Sequence, residues 1–157
     1  MTIVIERIAA PTPAAAALLA ELDAVLGAAY DLEQRLSRDE LFQPHIRFFI
    51  AFVDGQAAGC GGVALFQEFA EVKRMYSRPA LRRRGVAKAL LARLQAEALA
   101  AGHSLLRLET GVHQAAAIGL YEGCGFHRCG AFGHYAGLPL HRVAASIFYE
   151  KRLNLGN

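Results

Sequence analysis

The chain has 157 residues, 54% hydrophobic and 20% charged, with a formal net charge of +3. This balance fits one compact domain over 1–157 with a real core, and excludes a fibrous or disordered chain. The positive excess is concentrated in residues 78–88 rather than spread as a basic stripe with interleaved aromatics, so nucleic acid is not an expected partner. The apolar run 13–20 is cut by Glu21 and Asp23 well short of a membrane span. Three cysteines, with Glu6 and Arg7 where a secretion signal would be apolar, point to a reducing, cytoplasmic setting. Cys124, His127 and Cys129 cluster, but only three ligands lie close together and no Cys-x-x-Cys pair joins them, so no metal is expected.

Residues 2–8 alternate and predict a first strand. After Pro11, Thr12 reads as the N-cap of a helix carrying Leu18, Leu19, Leu22, Val25 and Leu26 to about residue 29. A second, less regular helical piece is expected over 31–42. Strands follow at 47–53 and 57–66, joined by the turn pair Asp54-Gly55, and at 69–77. Gly59, Gly61 and Gly62 inside the second of these predict a bulge or a close backbone approach. The third strand runs through a Pro79 turn into a helix with Val86, Leu90, Leu94 and Ala98 on one stripe, ended near Gly102. A strand at 104–110 makes this a strand-helix-strand unit with parallel strands. A short helix from Gln114 stops at Gly123 and Gly125, residues 137–146 read as a loop, and 147–153 form the last strand.

The turn at 82–88 carries the first chemical signal. It holds Arg82, Arg83, Arg84, Gly85, Val86, Ala87 and Lys88 at the start of a helix. First-turn N–H groups lack intrahelical partners, and the helix dipole adds about half a positive charge there. Gly85 and Ala87 keep side chains out of the way, and the arginines and lysine add formal charge. The arrangement suits a pyrophosphate; its plainer alternative is an ordinary turn with a solvated basic face. Neither a Gly-x-x-x-x-Gly-Lys-Ser/Thr loop nor a Gly-x-Gly-x-x-Gly fingerprint is present.

Arg82-x-x-Gly85-x-Ala87 resembles the Gln/Arg-x-x-Gly-x-Gly/Ala signature of the GCN5-related N-acetyltransferase (GNAT) superfamily. A second signature of that family is matched about thirty residues downstream by Gln114, Ala117, Ile118, Leu120, Tyr121, Gly125 and Phe126. The resemblance spans nearly the whole chain and is weakest over 12–43. It implies an α/β (α+β) fold: a mixed, largely antiparallel sheet of six to seven strands, about four helices and a central βαβ unit that binds acetyl-CoA. It also implies an acetyl-CoA-dependent N-acetyltransferase acting on an amine acceptor, and it is compatible with a homodimer. The alternative is a catalytically silent acyl-CoA-binding module that senses or regulates.

Carried over residue by residue, the resemblance gives Met75, Tyr76 and Ser77 backbone contacts with the cosubstrate's pantetheine arm, and sets Gln114 in the cofactor-binding group. Tyr121 matches the tyrosine that protonates the departing thiolate, a role within reach of a phenol with pKa near 10; otherwise it is a core aromatic. Glu71 is the candidate base, with Glu109 as rival, and either could instead pair structurally with Lys73, Arg74 or Arg107. Strict alternation puts Glu71 and Met75 on one face about 13 Å apart, which would require a water relay or a reaching amine. Ser77, Ala87 and Gln114 depart from the commonest family residues. Residues 137–146, with His134, Tyr135, His141 and Arg142, are expected to shape the acceptor pocket or an oligomer contact, or to form a plain surface loop.

Overall fold

Alternating apolar residues in the first half of the chain produce four strands, β1 (Ile3–Ile8), β2 (Ile46–Val53), β3 (Gln56–Leu65) and β4 (Ala70–Ser77), paired antiparallel in that order. The computed structural model describes residues 1–27 and 40–154. Asp54 and Gly55 both take positive φ, 48° and 83°, the conformation of the tight hairpin turn their sequence predicts. Between β1 and β2 lies α1 (Pro13–Leu26), whose first turn is capped by Thr12: its side chain accepts from the Ala15 N–H at 3.1 Å. Of the helical piece expected over 31–42, residues 31–39 lie outside the described residues, and the rest is a 3-10 turn, Glu40–Phe42.

The second half supplies α2 (Val86–Ala100), β5 (Leu105–Gly111), α3 (Ala115–Gly123), β6 (His127–Cys129), α4 (Leu140–Val143) and β7 (Ser146–Arg152). β5 runs parallel to β4, and β7 inserts between β5 and β6, giving a seven-stranded sheet in the order β1-β2-β3-β4-β5-β7-β6. The expected mixed, largely antiparallel sheet with four helices is therefore the observed one. Two local features differ from the sequence reading. β6 is a three-residue strand too short to show an alternation, and the segment expected to be a loop contains α4.

Burial follows the periodicities. Val86, Leu90, Leu91, Leu94 and Ala98 of α2 pack with Val72, Leu106, Leu108 and Tyr149 on one face of the sheet. Leu18, Leu19 and Leu22 of α1 pack over Phe48, Ile50, Cys60 and Tyr76 on the other. Each such side chain contributes about 1.5–3 kcal/mol by leaving water. A third, smaller cluster joins Phe132, Tyr135 and Phe148. The helices thus clamp the sheet from both sides and fix where its central strands separate.

Candidate active site

β4 and β5 pair only at Ala70↔Leu106 and Glu71↔Arg107. Beyond that point β4 stays with β3 and β5 with β7, so the two parallel strands part toward their C-terminal ends. Met75, Tyr76 and Ser77 lie on the half of β4 that has lost its β5 neighbour. Backbone polar groups on that edge need other partners, and an extended amide-bearing arm can supply them. The resulting cleft has Glu71 and Met75 on its β4 wall, Glu109 and Thr110 on β5, and Gln114 and Tyr121 on the α3 side.

A bulge shapes the β4 wall. Cys60 pairs with Tyr76 and Gly62 with Lys73, so Arg74 and Met75 together stand opposite Gly61. Arg74 takes φ 56°, in the left-handed region. A Cβ on Gly61 would lie 2.6 Å from the Met75 sulfur, so a side chain there would force Met75 to shift. The bulge resets the alternation: Met75 joins Val72 on the α2 side, while Glu71 and Lys73 reach Tyr135 on the opposite side. The expectation that Glu71 and Met75 share a face, built on uninterrupted alternation, is corrected by this one extra residue.

Glu71 is buried, with 2% of its surface exposed, and is held from two sides. Tyr135 donates its hydroxyl to Oε2 at 2.8 Å, and Lys73 Nζ lies 2.8 Å from the same oxygen. Lys73 also reaches the Tyr135 hydroxyl at 3.3 Å. Of the partners open in the sequence, Lys73 is the one that pairs with Glu71, while Arg74 pairs with Asp23 and Arg107 with Glu150. Behind Glu71 a second cavity opens between Phe66, Phe69 and His134, so the carboxylate lies between two spaces. Burial, and then the charge of Lys73, push the His134 pKa down. The rival Glu109 accepts from Ser146 Oγ at 2.5 Å.

Tyr121 packs edge-on to Phe126 at 5.8 Å and tilted to Tyr149 at 6.3 Å, so its ring is part of the core. Its hydroxyl has no hydrogen-bond partner among the described residues and belongs to the cleft lining. Burial raises its pKa well above the ordinary phenol value, with the charges of Glu109 and Cys124 adding to the effect. The phenol therefore holds its proton across the physiological range. Tyr121 is both the core aromatic and the cleft residue that the sequence left as alternatives.

After the C-terminal end of β4 a 3-10 turn, Pro79–Leu81, leads into the basic turn. Arg83 and Gly85 take φ 67° and 81°, and Gly85 is the N-cap of α2 with no side chain satisfying the first-turn N–H groups. Arg82, Arg83, Arg84, Gly85 and Lys88 are exposed, Ala87 is half-buried, and Val86 anchors the helix in the core. A Cβ at Gly85 would meet nothing within 4 Å, so the space over this backbone is open to a ligand. Free N–H groups, formal cations and open space suit the pyrophosphate of acetyl-CoA. Gln114 sits at the N-cap of α3, facing the cleft rather than this turn.

Sequence reasoning missed the role of α1 in holding the site. Glu21 receives Arg78 through Nε and Nη2, at 2.8 Å for the shortest contact, and the Tyr76 hydroxyl at 3.1 Å. The Tyr76 side chain is thus committed to α1. Asp23 takes Arg74 Nη2 at 2.6 Å. The available signal was the pair of acids interrupting an otherwise apolar helix. Among the described residues no group of three or more His, Cys, Asp or Glu could hold a metal ion, and no helix is long and apolar enough to cross a membrane.

The acetyltransferase (GNAT) family model matches residues 15–126. An IAA acetyltransferase of Azospirillum brasilense is 44% identical over 112 residues, covering 69% of this chain and 73% of that protein. A Klebsiella pneumoniae crystal structure, named as an acyl-CoA N-acyltransferase, superimposes with TM-score 0.78 at 36% identity, covering 97% of this chain and 98% of that one. A GNAT family acetyltransferase from Elizabethkingia anophelis, solved with acetyl-CoA bound, shares the fold at TM-score 0.71 and 18% identity, over 96% of this chain and 98% of its own. The chain accordingly belongs to the GNAT acetyltransferase family and is an acetyl-CoA-dependent acyltransferase.

Proposed function

We propose that this protein transfers the acetyl group of acetyl-CoA directly to an amine nitrogen in the cleft where β4 and β5 part. The observation that carries this reading is the separation of the two strands immediately after Glu71↔Arg107, with Tyr121, whose hydroxyl has no partner among the described residues, in the lining. Acetyl-CoA supplies a thioester whose carbonyl is open to attack by a neutral amine. The basic turn at Arg82, Arg83, Arg84, Gly85, Val86, Ala87 and Lys88 holds its pyrophosphate. The free edge of β4 at Met75, Tyr76 and Ser77 aligns its amide-bearing arm, and a backbone N–H of that stretch polarises the carbonyl.

Glu71 then takes the proton of the attacking amine. Its Oε2 already accepts from Tyr135 and pairs with Lys73, so Oε1 is the oxygen left to receive a proton, directly or through one water. Tyr121 keeps its proton and donates to the departing sulfur. An acyl-cysteine route has little support: burial pushes the Cys60 thiol up to about 12, and burial likewise raises Cys129. Direct attack is the simpler path.

The test is release of free thiol from acetyl-CoA against a panel of amines, with IAA included because the Azospirillum relative carries it in its name. Amine-dependent release supports the transferase reading. Tight acetyl-CoA binding with no release above background for any acceptor overturns it in favour of a silent acyl-CoA-binding module.

A further inference from the structure

Arg74 has a position and a hydrogen-bond deficit that the transfer reaction does not use. It is the bulged residue of β4, held at φ 56°, a conformation that non-glycine residues adopt at some energetic cost. Its side chain is only 8% exposed, and the residue lines the cleft. A guanidinium offers five N–H donors in a planar fork. Here Nη2 donates to Asp23, Nε is buried without a partner, and Nη1 meets no acceptor among the described residues. Buried donors left unmet are costly, and a fork of this kind matches the planar, paired oxygens of a carboxylate as it does a phosphate.

We infer that Arg74 receives the carboxylate of the acceptor, so that the acceptors are amino acids or other small amines carrying a carboxylate. The charges around the cleft support a zwitterion. Lys73 stands next to Arg74 on the same strand, while Glu71 and Glu109 lie where the amine must arrive. A carboxylate at Arg74 would therefore point the amino group of the same small molecule toward the acidic side. Asp23, 30% exposed, occupies one arm of the guanidinium and competes with the incoming carboxylate for it. A polyamine, carrying only positive charge, gains nothing from Arg74. The inference rests on the transferase reading above, and the two can fail separately.

The experiment compares matched acceptors: alanine with ethylamine, serine with ethanolamine, phenylalanine with phenethylamine, and each amino acid with its primary amide. Thiol release is followed for the wild type, Arg74→Asn and Asp23→Asn, with acetyl-CoA affinity measured on all three by calorimetry. Asparagine suits the left-handed backbone at position 74. We expect kcat/KM to favour the carboxylate-bearing member by about tenfold or more. Arg74→Asn should lower kcat/KM for that member about tenfold more than for its amide or decarboxylated partner. Asp23→Asn should shift the preference the other way, raising it severalfold, an opposition that a merely structural role would not produce. Equal or better turnover of the uncharged partners by the wild type overturns the inference, as does a preference unchanged in both variants. If Arg74→Asn loses acetyl-CoA affinity through misfolding, Asp23→Asn decides alone, and an unchanged or reduced preference there is fatal. If no amine of any kind raises thiol release, the transferase reading fails first; equilibrium binding of the same matched pairs then decides whether the cleft selects a carboxylate.

Discussion

Replacement of Tyr121 by phenylalanine separates the two jobs assigned to that ring. The hydroxyl has no partner among the described residues, while the ring rests on Phe126 and Tyr149. Phenylalanine keeps both ring contacts and removes one oxygen, so stability should change by less than about 1 kcal/mol. If the hydroxyl stabilises the departing sulfur, kcat should fall about 10²–10⁴-fold, equivalent to about 3–5 kcal/mol of barrier. The basic turn at 82–88 is not part of the cleft lining that holds Tyr121, so the dissociation constant for acetyl-CoA should stay within about threefold. Burial raises the Tyr121 pKa, so in the wild type any alkaline loss of kcat below pH 10 should belong to another group. The assay is steady-state thiol release together with a urea melt. A kcat within threefold of wild type would refute the acid role, and a stability loss above about 2 kcal/mol would reveal a structural partner for the hydroxyl.

Glu71→Gln should lower kcat about 10²-fold or more and cost about 3–5 kcal/mol of stability, because it strands Lys73 in a nearly dry site. Adding Lys73→Met should recover much of the stability without the activity; recovery of both, by urea melt and thiol release, would remove Glu71 from the chemistry. Gly85→Ala forces a Cβ into φ 81° with no neighbour within 4 Å, so its stability cost should be about 1–2 kcal/mol of backbone strain. The same methyl intrudes where phosphate would sit, and the KM for acetyl-CoA should rise about tenfold; an unchanged KM would place the pyrophosphate elsewhere. Hydrogen bonds from Arg78 lower the Glu21 pKa below its ordinary 4.5. That stabilisation is full above the unfolded value and is lost as pH falls through the lower folded one, so Glu21→Gln should flatten the decline of Tm below about pH 5. A decline as steep as in the wild type would show that this ion pair carries no linkage.

What was legible in the sequence was local. The strands of the first half, the capped α1, the basic turn and the α3 motif each fit within a dozen residues, and their signals are periodicity, turn residues and small side chains at fixed offsets. What was not legible depends on pairing between distant segments. Tyr135 and Glu71 are 64 residues apart, and nothing at either position announces the hydrogen bond between them. β6 exists because β7 offers it an edge, not because His127–Cys129 favours a strand. The glycines of β3 did announce a bulge, and β3 has one against β2, where Ala51 faces Gly59 and Phe52 faces Ala57; the second bulge, which shapes the site, lies in β4 opposite Gly61 and was not legible.

That extra residue connects fold and site. Had β4 alternated without interruption from Glu71, Arg74 and Tyr76 would have faced the α2 side with Val72. A guanidinium would then have been driven among Leu90 and Leu94, and Met75 would have taken the side where Tyr135 closes over Glu71. The bulge reverses every side chain after Lys73. Met75 goes into the α2 core, Tyr76 reaches Glu21, and Arg74 turns to Asp23 at the rim of the cleft. The same strand can then present a carboxylate and a cation on one side while its freed backbone edge faces the gap toward β5. The left-handed residue at position 74 costs some stability, and Gly61 gives up its side chain to make room. Both concessions are local, and together they bring Arg74 to the side of β4 that already carries Glu71 and Lys73, which strict alternation would not do.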